Sequence, residues 1–203
     1  IPSDSSAGSD PVQISKYEAT YDVAADGTLN AEETITARFP SGRHGIFRYW
    51  DVADFLDHTV RYRPRNIEAT MDGHDVNTAL LWQQGKRFRV AKIGDPDSYV
   101  SPGEHVYRIS YRIPGVIGPP SERTAEGSSS WTQGDENRSE FAWQVVAAGW
   151  SMFIHNAQIT VNLPHPAEVI TCEAENSVTC AVDGEGTNSL AISAAGLPPN
   201  TEI

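Results

Sequence analysis

The chain has 203 residues, enough for one large domain or two small ones with a real core, and its 39% apolar content excludes wholesale disorder. Its net charge of −12 repels phosphate backbones and gives no pull toward anionic lipid, so a nucleic-acid partner is excluded from the expectation. No apolar run approaches the ~20 residues needed to span a bilayer.

In chain order, residues 1–11 are Ser, Asp, Gly and Pro with almost no apolar content and read as a disordered lead-in. The start at Ile1-Pro2-Ser3 reads as a processed or trimmed end. Val12 to Val23 alternates apolar and polar residues, with Val12, Ile14, then Tyr17, Ala19, Tyr21 and Val23, and predicts a long strand. Asp26-Gly27 is a hairpin turn, because Asp-Gly accepts positive φ. Leu29 to Phe39 alternates again, and its apolar phase breaks once, at Glu33. Pro40-Ser41-Gly42 then delivers the densest stretch of functional groups, Arg43-His44-Gly45-Ile46-Phe47-Arg48-Tyr49-Trp50. Asp51 to His58 reads as one helical turn or an irregular loop. Its acids at 51, 54 and 57 are weighed as a calcium set and read as solvated.

Thr59 to Met71 predicts a strand weakened by Pro64. Asp72-Gly73, Trp82 to Lys86, Asp95-Pro96 and Pro102-Gly103 are turn signals. Strands are expected over Arg87 to Ile93 and, most cleanly, over Glu104 to Ile113. Residues 115–139 are rich in Gly, Pro, Ser and Glu and read as a long flexible insertion, with a split of the chain in two there as the alternative; it carries the formal sequon Asn137-Arg138-Ser139. Phe141 to Val146, Trp150 to Leu163, Val169 to Cys172, Cys180 to Val182 and Ser189 to Ile192 complete the strands, and Leu197 to Asn200 leads toward one just starting, so a membrane anchor is expected outside this chain. About ten short strands with little helix predict an all-β antiparallel β-sandwich, immunoglobulin-like in general architecture, over 12–203.

Cys172 and Cys180, seven residues between them, suit no common zinc motif. A local disulfide and hence an oxidising compartment fits better than two unrelated reduced thiols. The six histidines are scattered without metal-ligand spacing, and no phosphate loop, nucleophile elbow or HExxH pattern occurs, so no catalytic residue, metal or cofactor is assigned and the chain is read as a non-enzyme. The candidate interaction or structural cluster is Glu33, Arg43, His44, Arg48, Trp50, Trp143 and Trp150. Its tryptophans either form a platform for sugar or peptide or, as is commoner in a sandwich, fill the core. Arg48 either clamps a carboxylate ligand or ties loop carbonyls and an acid together, and Glu33, if buried, is expected to meet Arg43 or Arg48 in an ion pair. As a crossover between sheets, the stretch would use Gly45 for the turn and send Ile46 and Phe47 into the core.

Asp26-Gly27-Thr28-Leu29, Glu32-Glu33-Thr34-Ile35, His44-Gly45-Ile46-Phe47-Arg48, Val90 to Asp95, Gly103 to Tyr111, Glu140 to Trp143, Gly149-Trp150 and Ile159 to Pro164 follow one another in an order that resembles the YciQ-like predicted membrane proteins, domain of unknown function 2207. The resemblance implies a domain outside a bacterial cell membrane, after a signal peptide in the precursor and before transmembrane helices. It implies no activity and no catalytic residues. The expected role is interaction or ligand sensing with a cell-surface or cell-wall partner; the alternatives are a carbohydrate- or peptide-binding module and, behind both, a hydrolase.

Overall fold

The computed structural model describes residues 10–53, 61–118 and 139–203. Most of the lead-in, Asp54 and Asp57 of the spaced acids, and most of the 115–139 insertion with its sequon lie outside the described residues.

The described chain is all-β, with thirteen strands and no helix, three of the strands being two-residue pairings. Eight form one sheet in the order β12-β13-β11-β1-β2-β8-β4-β5, where β1 is Gln13–Val23, β2 Leu29–Phe39, β4 Arg65–Met71, β5 His74–Asp75, β8 Gly103–Ile113, β11 Phe153–Asn162, β12 Ala181–Asp183 and β13 Ser189–Leu197. A second sheet runs β3-β7-β6, with β3 Ile46–Asp51, β6 Thr78–Gln83 and β7 Phe88–Ile93. β9 (Ile117–Gly118) pairs with β10 (Glu140–Phe141) across the insertion. The result is a lopsided sandwich. Its pairings are antiparallel except one: β1 runs parallel to β11. That pair joins strands from both sides of the insertion into one sheet.

The inward phases of β1, β2, β8 and β11 line one continuous core that also takes Ile46, Trp50, Ile93, Trp150 and Ile203. The step from Ile14 to Tyr17 in the apolar phase is a register shift between Ile14 and Lys16, a bulge that turns the strand by one residue. Glu33 causes no break in register. It stands in the inward phase of β2 between Ala31 and Ile35 and is 0% exposed.

Several local expectations are corrected. Residues 169–172 form no strand, and of Phe141 to Val146 only Phe141 belongs to one; Val145 and Val146 are buried loop. The turn expected from Trp82 begins later, at Gln84, because β6 continues through Gln83 and positive φ falls on Gln84, Gly85 and Lys86. The strand expected to start at Ser189 runs on to Leu197. Phe47 stays out of the core at 43% exposure: period two from Ile46 sends Arg48 and Trp50 inward instead.

Candidate functional site

The stretch after β2 crosses from the eight-stranded to the three-stranded sheet. Gly45 faces Gly94 at this crossing, with φ of +145° and +144°. A Cβ on Gly45 would come within 1.9 Å of the Ile93 carbonyl oxygen, and one on Gly94 within 1.8 Å of that of His44. Only glycine permits such an approach of two backbones. The crossing sets the phase of β3, and the phase aims Arg48 at Glu33 in the opposite sheet.

Arg48 binds Glu33 through two parallel hydrogen bonds, Nε to Oε2 at 2.8 Å and Nη2 to Oε1 at 2.6 Å. Its remaining amino group donates to the carbonyl of Tyr49. The Tyr111 hydroxyl donates to Glu33 Oε1 at 2.6 Å. Tyr21 lies 3.4 Å from the same oxygen and 3.0 Å from the Val145 carbonyl; it has one proton, and the shorter contact takes it. The guanidinium lies 4.7 Å from the Trp50 ring centroid, 5.8 Å from that of Trp150 and 5.9 Å from that of Tyr111. The pair is sealed, with Arg48 3% and Glu33 0% exposed.

The electrostatics match a closed, buried cluster. Burial works against the Arg48 charge, but the neighbouring Glu33 carboxylate more than restores it, and the arginine is held above its ordinary range. Burial, helped by Glu33, pushes the Tyr111 and Tyr17 hydroxyls up, and burial with the nearby tyrosines does the same for Tyr21. These groups stay protonated and act as donors. The cluster is buried and ties the two sheets together.

The candidate residues thus divide. Glu33, Arg48, Trp50 and Trp150 meet in one buried cluster. Arg43 lies apart and pairs with Asp10 at 2.8 Å. Among the described residues His44 meets no acid; its Nδ1 meets the Ser98 carbonyl at 2.9 Å and its ring lies on Tyr99. Trp143 is half-buried, edge-on to Tyr62 and stacked on Phe141. The tyrosines were missed as members, although Tyr17 and Tyr21 in β1 and Tyr111 in β8 stand on inward phases where a buried hydroxyl needs a partner. The cysteines are joined, with their Cα atoms 6.0 Å apart. Among the described residues no three His, Cys, Asp or Glu side chains gather as a metal site, and no helix is long and apolar enough to cross a membrane.

The outer face of the eight-stranded sheet carries an open groove of roughly 460 Å³. Glu18, Thr20, Glu32, Thr34, Gln158 and Thr160 line it, from β1, β2 and β11. Nothing in the sequence marked this surface, because its members look like ordinary wet positions of separate strands.

No curated protein matches the chain in sequence. Among solved structures, it is similar to part of yeast LTA4 hydrolase in complex with bestatin, with a TM-score of 0.50 and 11% identity over 100% of this chain and 31% of that one. It is also similar to part of an M1 zinc metallopeptidase from Deinococcus radiodurans, with a TM-score of 0.44 and 15% identity over 94% of this chain and 41% of that one. The chain therefore spans less than half of either protein, and at such identities the likeness to the yeast enzyme concerns fold alone. The model of the predicted membrane protein (DUF2207) N-terminal domain family matches residues 13–203, nearly the whole length, and the chain belongs to that family.

Proposed function

We propose that this is the extracytoplasmic domain of a bacterial membrane protein, serving interaction or ligand sensing at the cell surface through the outer face of its eight-stranded sheet. The observation that carries the reading is the groove lined by Glu18, Thr20, Glu32, Thr34, Gln158 and Thr160, a hydroxyl- and carboxylate-bearing surface on the eight-stranded sheet. Such groups suit a partner rich in hydrogen-bond donors, as glycans and peptides are. The Cys172–Cys180 disulfide supports an oxidising compartment.

A binding module built on Arg48, Trp50 and Trp150 draws no support from their burial. The hydrolase and peptidase activities in the names above belong to those proteins, and nothing in the buried cluster favours them here.

The test is titration with soluble cell-wall glycan and peptide fragments, followed by backbone amide NMR. Saturable shifts centred on Thr20, Thr34 and Thr160 are expected, and Thr34→Lys with Thr160→Lys should remove them. Absence of any response across both fragment classes would count against recognition by this face.

A further inference from the structure

Six large apolar side chains stand exposed among the described residues, and Phe47, Leu80, Leu81 and Trp82, at 38–43%, all belong to the three-stranded sheet. Three of them lie on β6, an outer strand of that sheet. Thr78–Gln83 has no charge, no proline and no bulge against β7, so this edge lacks the devices that normally discourage contact. Its apolar groups lie on both sides of the ribbon. Period two sends Leu80 and Trp82 to one face and Leu81 to the other.

The charge of the hairpin reverses that of the protein. Thr78–Ile93 contains Lys86, Arg87, Arg89 and Lys92 and no Asp or Glu, in a chain of net charge −12. Arg87 pairs with Asp51. Arg89 instead covers the Trp82 ring at 4.9 Å, and the Lys92 ammonium lies 5.4 Å from the Phe47 ring centroid.

A second copy would bring like charges together across this edge, whereas an anionic surface would be attracted. A ribbon that is apolar on both faces is also poorly covered by one flat protein surface, but a fluid phase closes around both. Tryptophan with leucines and long cations is the composition of the water–bilayer boundary, where stems lie in apolar surroundings and charges reach phosphate. Water and headgroups there can still satisfy the outer backbone groups of β6, which the hydrocarbon interior could not.

We infer that the β6–β7 hairpin docks edge-first into the headgroup layer of an anionic membrane. The inference rests on the membrane setting of the proposed function and is independent of the groove.

The test is co-sedimentation of the chain with phosphatidylglycerol/phosphatidylcholine vesicles against phosphatidylcholine alone, with intrinsic fluorescence read in parallel. Binding to the anionic vesicles and a blue shift are expected. Trp82→Phe should keep binding while losing most of the shift. Lys86→Gln, Arg89→Gln and Lys92→Gln should weaken partitioning roughly fivefold per cation. Leu80→Ser with Leu81→Ser should weaken it about tenfold or more. Near-UV circular dichroism establishes that each variant is folded. No binding by the unaltered chain, or binding that survives both sets of substitutions, overturns the inference, as does a dimer that Leu81→Lys dissolves without any vesicle binding. Thr34→Lys with Thr160→Lys should leave vesicle binding intact, so failure of the groove reading and failure of this one are told apart.

Discussion

Arg48 and Glu33 come from different sheets and meet in a two-bonded ion pair from which water is excluded. Each is the other's main compensation for losing its hydration, so removing one partner strands a buried charge. Arg48→Ala should cost about 3–5 kcal/mol in urea unfolding. Replacing the group together, as Glu33→Leu, Arg48→Met and Tyr111→Phe, should recover most of that loss, because an apolar core of similar volume needs no pairing. A triple variant as unstable as Arg48→Ala would show that the cost lies in packing rather than in the uncompensated charge.

The Gly45–Gly94 contact gives a sharper steric prediction. Gly42 has positive φ but open space around its missing Cβ, so Gly42→Ala should cost about 1–2 kcal/mol. Gly45→Ala adds a collision with backbone at 1.9 Å and should cost distinctly more. Chemical denaturation of the two variants side by side checks the order. Equal losses would mean that the two strands separate without strain.

His105 and Asp72 form a surface pair, Nδ1 to Oδ2 at 2.6 Å. The hydrogen bond that His105 donates to Asp72 raises the His105 pKa above its ordinary 6.5, despite some opposing desolvation. The Val106 amide and His105 lower that of Asp72. A raised histidine contributes stability that is complete below its unfolded pKa and fades as pH rises through the folded one. A lowered carboxylate contributes above its unfolded pKa and fades as pH falls through the folded one. The pair should therefore stabilise most between about pH 4 and pH 6.5 and fade above that window. The melting temperature should fall less between pH 6 and pH 8.5 in Asp72→Asn than in the unaltered chain, a difference of order one degree for an exposed pair. Identical pH profiles would refute the linkage.

The Cys172–Cys180 bond closes a short loop with a sequence separation of 8. In the chain-entropy account it should contribute about 2–3 kcal/mol. For a chain of this size that is roughly 4–12 °C in melting temperature. Cys172→Ser with Cys180→Ser, compared by thermal unfolding, checks the value; Cys172, Ala174, Val178 and Cys180 also pack against the core, and an unchanged melting temperature would refute the contribution.

Alternation along the chain determined the strands whose two faces differ in wetness. β1, β2 and β8 are legible because aromatic and β-branched residues recur every second position, and the buried acid in β2 stood out against that rhythm. The cysteine spacing and the ordered family motifs were likewise legible, since both are properties of short segments. β6 was not: a strand accessible on both faces, with Leu80, Leu81 and Trp82 in a row, carries no period-two signal. Nor could the chain by itself separate Trp150 in the core from half-buried Trp143, or pair Arg48 rather than Arg43 with Glu33. Those outcomes depend on which strands become neighbours, as in the parallel contact of β1 with β11, and on the phase set where Gly45 meets Gly94. Local sequence decides which side of a strand is apolar; only the packing of distant segments decides what that side meets.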